Sequence, residues 1–197
     1  EEKPPKEERQ GYLNLKTPFY GFDHVDLVTR HGDRARGHYD EWLKEQHADA
    51  DSLRGADNAI PEPNYCAPQA WHTSIPEEHY TSTYVADKSA EFLEANAVGK
   101  NDAPFFLQCS FPDPHHPYTP PGKYFTMYDP DDIELPGSYN NPSPQPTTAF
   151  IQQQTLANAM PRTGNLPFAS TERETREIIA VTYGMISMVD DCIGRVV

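Results

Sequence analysis

Prolines divide this chain into segments that can form helices or strands and segments that cannot. The chain has 20 prolines among 197 residues, about twice the usual ~5% share. Because proline lacks a backbone N–H and fixes φ, it is excluded from central strands and from helix interiors. Most of the prolines lie in residues 56–80 and 112–168, which we predict to be two long loops. Loops of this length in a domain usually serve a function or lie against a partner.

Aromatic residues argue that the chain is ordered despite its prolines. It has 11 Tyr, 9 Phe and 2 Trp, with a mean hydropathy of −0.76, whereas disordered chains are poor in aromatic residues. We expect a charged linker or frayed segment at residues 1–10. Residues 11–197 are expected to form one partial α/β domain, truncated at both ends, because no initiator Met is present and the last helical pattern has no stop signal.

Charge and apolar run length exclude two classes of partner. The net charge of −14 argues against nucleic-acid binding, which needs clusters of Lys and Arg. No apolar run approaches the ~18 residues of a membrane span, and the first residues lack the apolar region of a signal peptide. The three cysteines, Cys66, Cys109 and Cys192, predict no disulfide framework. A homo-oligomer is compatible with the sequence, and the compartment, cytoplasmic or periplasmic, stays open.

Hydrophobic patterns predict strands alternating with helices. We expect strands at residues 18–28 and 102–111, helices at residues 40–47 and from Ser82 onward, and a short helix near residues 148–159. The final helix is the clearest, because Thr171 and Glu174 fit a capping box. Its apolar face is predicted to contain Ile178, Met185, Val189, Ile193 and Val196. This order of elements favours part of an α/β sheet covered by helices.

The adjacent histidines His115 and His116 follow the second predicted strand. Loops beyond the carboxyl ends of strands bind ligands in open α/β sheets, and the surrounding prolines stiffen this loop. An imidazole there could donate to an anion or protonate a leaving group. The alternative, favoured by the residues alone, is a surface pair in a rigid loop. A metal site is disfavoured because Asp113, His115 and His116 are too close together to ligate one ion.

A His31–Gly32–Asp33 run also attracts attention, because similar runs occur in metallohydrolases. Arginines 30, 34 and 36 surround it, and their positive charge disfavours a cation. We therefore predict structural roles for His31 and Asp33. The arginines either balance the acidic surface or contact an anionic substrate.

Two further candidates carry weaker chemistry. Cys66 is the cysteine most expected to be exposed, but no neighbouring basic residue would lower its thiol pKa. The Asp190–Asp191 pair resembles a metal site, although such a pair more commonly splits between one partnered and one solvated carboxylate. There is no Gly-rich phosphate loop and no G-x-S-x-G motif.

Two motifs in the second half of the chain carry a family resemblance. An apolar run leads into residues 114–118, which read P-H-H-P-Y, and the helix at 183–197 ends M-V-D-D-C-I-G-R-V-V. In this order they resemble the middle of a sulfatase of the alkaline-phosphatase-like superfamily, which has a P-H-x-P-[FY] loop before such a helix. Residues 19–33 bear a looser resemblance to bacterial members.

The resemblance implies an alkaline-phosphatase-like fold, with a mostly parallel sheet flanked by helices and long Pro-rich loops. It implies hydrolysis of a small-molecule sulfate ester, or of a phosphate or phosphonate ester in sister groups. The family's nucleophile is formylglycine, made from the Cys or Ser of a C/S-x-P-S-R motif, and its cofactor is a divalent cation, usually calcium. By motif position His115 is the catalytic histidine that contacts the sulfate, and His116 is a weaker substrate-binding candidate.

The departures from the family pattern define what this chain lacks. Residues 66–69 read C-A-P-Q, without the Ser and Arg of the nucleophile motif, and no D-H-G metal motif is present. We therefore expect the metal ligands and the formylglycine residue to lie outside this chain, and the 197 residues alone to be inactive. Two alternatives remain open: a phosphonate or phosphate ester hydrolase of the same superfamily, and a non-catalytic module that binds carbohydrate or peptide.

Overall fold

A computed structural model describes residues 15–97, 103–139, 141, 145–157, 162 and 166–197. Within these residues the elements follow the order β1 (Val28–Thr29), β2 (Arg36–Gly37), α1 (His38–Gln46), α2 (Thr81–Ala95), α3 (Pro146–Leu156) and α4 (Glu172–Val196). Short 3-10 turns cover Gly32–Arg34, Ala50–Leu53, Ala56–Asn58, Glu77–His79, Gly122–Tyr124 and Pro130–Asp132. The predicted linker at residues 1–10 lies outside the described residues.

The described residues contain a two-stranded antiparallel sheet, in which Val28 lies opposite Gly37. Gly37 has φ +88°, and a Cβ there would lie 2.3 Å from the carbonyl oxygen of Leu27. Glycine is therefore required where β2 turns into α1. The mostly parallel sheet implied by the resemblance stays a prediction.

The four predicted helices are confirmed, with shifted ends. The helix expected at residues 40–47 is α1, and the one expected near residues 148–159 is α3. At the start of α4, Thr171 Oγ1 accepts a hydrogen bond from the Glu174 N–H, and the Glu174 carboxylate accepts one from the Thr171 N–H at 2.7 Å. This reciprocal capping box satisfies two N–H groups that a helix start leaves free.

Both strand predictions are wrong for the described residues. At residues 18–28, Tyr20 and Gly21 adopt positive φ and turn the chain, so that Phe19 and Phe22 pair with each other. The segment at residues 103–111 is extended but has no partner strand within the described chain, and Phe106 is 76% exposed. An apolar run predicts burial, but a strand also requires a neighbour for its backbone groups.

The core lies between α1, α2 and α4 and is rich in tyrosine. Tyr39, Tyr80 and Tyr84 are almost fully buried, and they pack with Met188 and Cys192 of α4. The observed buried face of α4 is formed by Glu174, Glu177, Ala180, Val181, Gly184, Met185, Met188 and Cys192. The predicted face is therefore correct at Met185 but wrong at Ile193, which is 45% exposed.

Polar contacts and close backbone approaches decide which face of α4 is buried. A Cβ at Gly184 would lie 1.9 Å from the carbonyl oxygen of Tyr124, so the helix and the Gly122–Tyr124 turn are in direct contact there.

No helix among the described residues is both long and apolar enough to span a lipid bilayer.

Candidate active site

The histidine loop, residues 112–119, presents His115 on the surface and His116 half-buried beside it. Their ring centroids lie 4.2 Å apart. His115 Nδ1 is 2.5 Å from the carbonyl oxygen of His116, so Nδ1–H is the donor in this contact. The proton on Nδ1 leaves Nε2 as the nitrogen available to a ligand.

His31 lies against this loop, although the sequence favoured a structural role for it. Its ring stacks on that of His115 with centroids 3.6 Å apart and an interplanar angle of 16°. The structure thus brings together His31, His115 and His116, which we call the histidine cluster. The His-Gly-Asp run is the signal in the sequence that points to His31, although its arginine neighbours favour a structural role.

A glycine allows the two segments to approach. Gly32 has φ +57°, and a Cβ at this position would lie 2.6 Å from Thr119 Oγ1 and 2.8 Å from the carbonyl oxygen of Pro117. The next residue, Asp33, donates its N–H to Thr119 Oγ1 at 2.9 Å. Any side chain at position 32 would push the His31 turn away from the histidine loop.

The histidine cluster is electrostatically suited to receive an anion. Burial lowers the pKa of His31, and the neighbouring charges of His115 and His116 lower it further. Burial also lowers the pKa of His116, with His115 adding to the effect. Both imidazoles are therefore neutral at pH 7 without a ligand, since their ordinary pKa is about 6.5. Neutral rings avoid the cost of crowding positive charges, and because the N–H of His31 is engaged by the Pro112 carbonyl, the free donor is on His116.

Asp33 turns away from the histidine cluster into the interior. Its carboxylate accepts hydrogen bonds from the Gly55 N–H at 2.8 Å, the Trp71 indole at 2.7 Å and the Thr73 hydroxyl at 3.3 Å. Burial raises the pKa of this carboxyl despite those hydrogen bonds. Through Oδ2 of this carboxylate Asp33 anchors loops, the structural role that the sequence predicts for it.

The neighbouring arginines are mostly engaged within the protein. The guanidinium of Arg36 lies 3.0 Å from Asp40 and 3.6 Å from Asp51, and that of Arg34 lies over the Trp71 ring at 5.1 Å from its centroid. Arg30 is exposed and has φ +63°. Of the two roles left open for these arginines, charge balance fits Arg36.

A second loop supports the histidine loop from the side. Tyr118 donates its N–H to the carbonyl of Gln69 at 2.8 Å, and Trp71 donates to the carbonyl of Tyr118 at 3.2 Å. The start of that second loop is held by α4, because the buried Glu177 carboxylate accepts the N–H groups of Cys66 at 2.8 Å and Ala67 at 2.7 Å. Hydropathy alone would place Glu177 on the solvent side of the helix.

Replacing Glu177 with glutamine should lower the free energy of unfolding by about 1–2 kcal/mol, because two buried N–H groups and Arg173 lose a charged acceptor. Chemical denaturation of the full-length protein measures this. Glu45→Gln is the matched control, since Glu45 is exposed, and it should change stability by less than about 0.5 kcal/mol. Equal stability of the two variants would contradict the role given to Glu177.

The described residues do not form the nucleophile site or the metal site that the family resemblance implies. The Cys66 sulfur lies 3.6 Å from Glu177, and burial together with that carboxylate raises the pKa of the thiol. Both Asp190 and Asp191 are exposed, and Asp191 accepts a hydrogen bond from the Tyr124 hydroxyl at 2.6 Å, so the pair is split by its partners and not by burial. Across the described part of the chain, no three His, Cys, Asp or Glu side chains are grouped to hold one metal ion.

Sequence comparison relates the chain to known proteins. The multifunctional alkaline phosphatase superfamily protein PehA of Trinickia caryophylli is 27% identical over 146 residues, which are 70% of this chain and 27% of PehA. An arylsulfatase of Clostridium perfringens (strain 13 / Type A) is 38% identical over 60 residues, 30% of this chain and 12% of that protein. The relatives of this chain are members of the alkaline phosphatase superfamily. No protein-family profile matches it.

The fold comparison agrees with this superfamily. The crystal structure of a phosphonate monoester hydrolase of Agrobacterium radiobacter matches 93% of this chain with a TM-score of 0.63 and 22% sequence identity. The match covers 37% of that hydrolase. The chain therefore has part of the fold of an alkaline phosphatase superfamily hydrolase, and it spans about a quarter of PehA and just over a third of the phosphonate monoester hydrolase.

Proposed function

We propose that the full-length protein hydrolyses sulfate esters and that the histidine cluster binds the anionic group of the ester. The observation that carries the proposal is the stacking of His31 on His115 with ring centroids 3.6 Å apart, while His116 lies 4.2 Å from His115 on the same loop. The superfamily relatives are hydrolases, and one is an arylsulfatase, which supports a hydrolase as the parent protein.

His115 is proposed to act at the leaving oxygen. Hydrolysis breaks the bond between sulfur and the leaving oxygen, water supplies the new oxygen on sulfur, and the leaving oxygen takes up a proton. Because the His115 Nδ1–H is held by the carbonyl of His116, a doubly protonated His115 would give the proton on its Nε2 to the leaving oxygen and return to the neutral ring. His116 would donate a hydrogen bond to a remaining ester oxygen, while the His31 ring, which is held by the Pro112 carbonyl, would support the ring of His115.

The charge of the histidine cluster favours a singly charged ester. A sulfate monoester carries one negative charge, and so does a phosphonate monoester. A phosphate monoester approaches two charges at pH 7 because its second pKa is about 6. The lowered pKa values of His31 and His116 leave neutral rings, which match one charge better than two.

A second candidate function is the hydrolysis of phosphonate monoesters. It is favoured by the fold match to a phosphonate monoester hydrolase over 93% of the chain. Sulfate and phosphonate monoesters share tetrahedral geometry and charge, so the histidine cluster suits both.

The cofactors implied by the resemblance belong to other parts of the parent protein in this proposal. A divalent cation, calcium in most of the family, would polarise the ester, and formylglycine would supply the nucleophile. The described residues do not fit either group, because Cys66 lies against a carboxylate and Asp190 and Asp191 are split. The partner is a small-molecule ester, and neither nucleic acid nor a membrane is proposed.

Turnover by the full-length protein tests the proposal. We expect 4-nitrophenyl sulfate or a 4-nitrophenyl phosphonate ester to be hydrolysed with a kcat/KM at least about tenfold above that for 4-nitrophenyl phosphate, about 1.4 kcal/mol of discrimination. The ratio of the first two separates the two candidate functions. A preference for the phosphate would contradict the charge argument. Binding of carbohydrate or peptide without turnover of any ester would instead support the binding-module alternative.

A further inference from the structure

Asp113 lies at the start of the histidine loop with its carboxyl group buried. It accepts hydrogen bonds from the Ser82 hydroxyl at 2.5 Å and the Tyr80 hydroxyl at 3.4 Å. No Lys, Arg or His of the described residues forms an ion pair with it. Burying a carboxyl group whose hydrogen-bond donors are hydroxyls lowers the stability of the folded state. Its position beside the histidines therefore suggests a functional role.

The same donors connect both ends of the histidine loop. The Tyr80 hydroxyl also lies 3.3 Å from Thr119 Oγ1, and Thr119 Oγ1 accepts the Asp33 N–H. Thr81, the next residue after Tyr80, donates its hydroxyl to the carbonyl of Gly32 at 3.3 Å. The first residues of α2 therefore hold the histidine loop and the His31 turn at once.

We propose that Asp113 is a positioning residue which, through Ser82 and Tyr80, holds the histidine loop so that His115 lies against His31. This inference rests on the proposed function, because it assigns the loop geometry to catalysis. Asp113 and Thr119 fix the loop on either side of the two histidines. A loop fixed only at Thr119 would let His115 move relative to the ester, and a displacement of about 1 Å can cost about 10²-fold in rate.

The ionisation of Asp113 makes the stability of the folded protein depend on pH. Burial raises its pKa to about 6, against the opposing effect of the Ser82 and Tyr80 hydrogen bonds. The titratable groups that interact with it are acidic as well, namely Tyr39, Tyr80 and Cys192. Because the folded pKa is raised, its stabilising contribution is complete below pH 4 and is lost as the pH rises through 6.

Asparagine separates the hydrogen bonds of Asp113 from its charge. Asp113→Asn keeps an acceptor for Ser82 and offers a donor to Tyr80, while it removes the cost of burying a carboxylate. The thermal midpoint of Asp113→Asn relative to the unmodified protein should therefore rise between pH 4 and pH 7. Asp113→Ala removes the hydrogen bonds together with the charge.

The test uses the full-length protein and the ester that it hydrolyses best. We expect Asp113→Ala to lower kcat/KM about 10–100-fold, Asp113→Asn to stay within about threefold, and the exposed control Asp57→Ala to have no effect. In an His115→Ala background the loss caused by Asp113→Ala should shrink to about twofold, because residues acting through one another are not additive. An undiminished loss in that background, or no loss in the unmodified background, would overturn the proposal.

Imidazole NMR keeps this test independent of the proposed function. With ¹⁵N-labelled histidine, Asp113→Ala should shift the Nδ1 and Nε2 resonances of His115 and leave those of the exposed His24 unchanged, even if no ester is hydrolysed. If Asp113→Ala does not fold, Ser82→Ala removes only one hydroxyl and should shift the same resonances. Unchanged His115 resonances in a folded variant would show that Asp113 does not position this residue.

Discussion

Replacing His115 with alanine in the full-length protein should lower kcat/KM for its preferred ester by about 10²–10⁴-fold, the range for loss of a general acid or base. His115 is the exposed member of the histidine cluster, and its Nδ1 is held by the carbonyl of His116. The variant loses the proton carrier at Nε2 and leaves the fold intact, because an exposed side chain contributes little to stability. Steady-state kinetics with an ester of a poorly acidic alcohol, whose leaving oxygen needs the proton, measures the loss.

The leaving group distinguishes a lost acid from a lost anion contact. If His115 protonates the leaving oxygen, the defect should be large for an ester of a poorly acidic alcohol and small for the nitrophenyl ester. The control is His24→Ala, because His24 is exposed and pairs with Asp26 at 2.8 Å, outside the histidine cluster. His116→Ala should have a smaller effect than His115→Ala. An equal loss for His24→Ala and His115→Ala would contradict the assignment.

Replacing Gly184 with alanine should destabilise the protein by about 3 kcal/mol, at the upper end of the range for overpacking. The added Cβ would lie 1.9 Å from the Tyr124 carbonyl oxygen, a backbone atom that cannot rotate away. Helix α4 would have to move from the Gly122–Tyr124 turn, and Met188 would lose packing with it. Equilibrium denaturation of the full-length protein gives the change in free energy of unfolding.

Gly194 offers a matched control in the same helix. A Cβ at this position meets nothing within 4 Å, so Gly194→Ala should stabilise the protein by about 0.5–1 kcal/mol through helix propensity alone. The two substitutions add the same methyl group and differ only in surroundings. A similar effect of both would show that the contact with Tyr124 is not close in the folded protein.

Features decided by local chemistry could be predicted from the sequence. The capping box of Thr171 and Glu174 marked the start of α4 because both partners lie within one helical turn. The prolines likewise marked residues 56–80 and the histidine loop as irregular structure. In each case the deciding interaction lies within a few residues.

Features decided by distant partners could not be predicted. Residues 103–111 have the composition of a buried strand, but no neighbouring strand lies beside them in the described chain, so Phe106 is exposed. The sequence neighbours of His31 are arginines, whereas its spatial neighbour is His115, a contact that the sequence does not show. Glu177 is buried because its carboxylate accepts hydrogen bonds from the amides of Cys66 and Ala67. A hydropathy pattern does not predict such a contact.

The hydrogen bonds that support the histidine cluster also set an order of events during synthesis. Asp33 and Thr119 are 86 residues apart, and Cys66 and Glu177 are 111 residues apart. At about 5–20 residues per second, the amide of Cys66 waits about 5–20 s on the ribosome before Glu177 is made. Until then the Cys66 and Ala67 amides lack the carboxylate that accepts them in the folded protein. The support of the histidine loop by α4 is therefore completed only after residue 177 has been made.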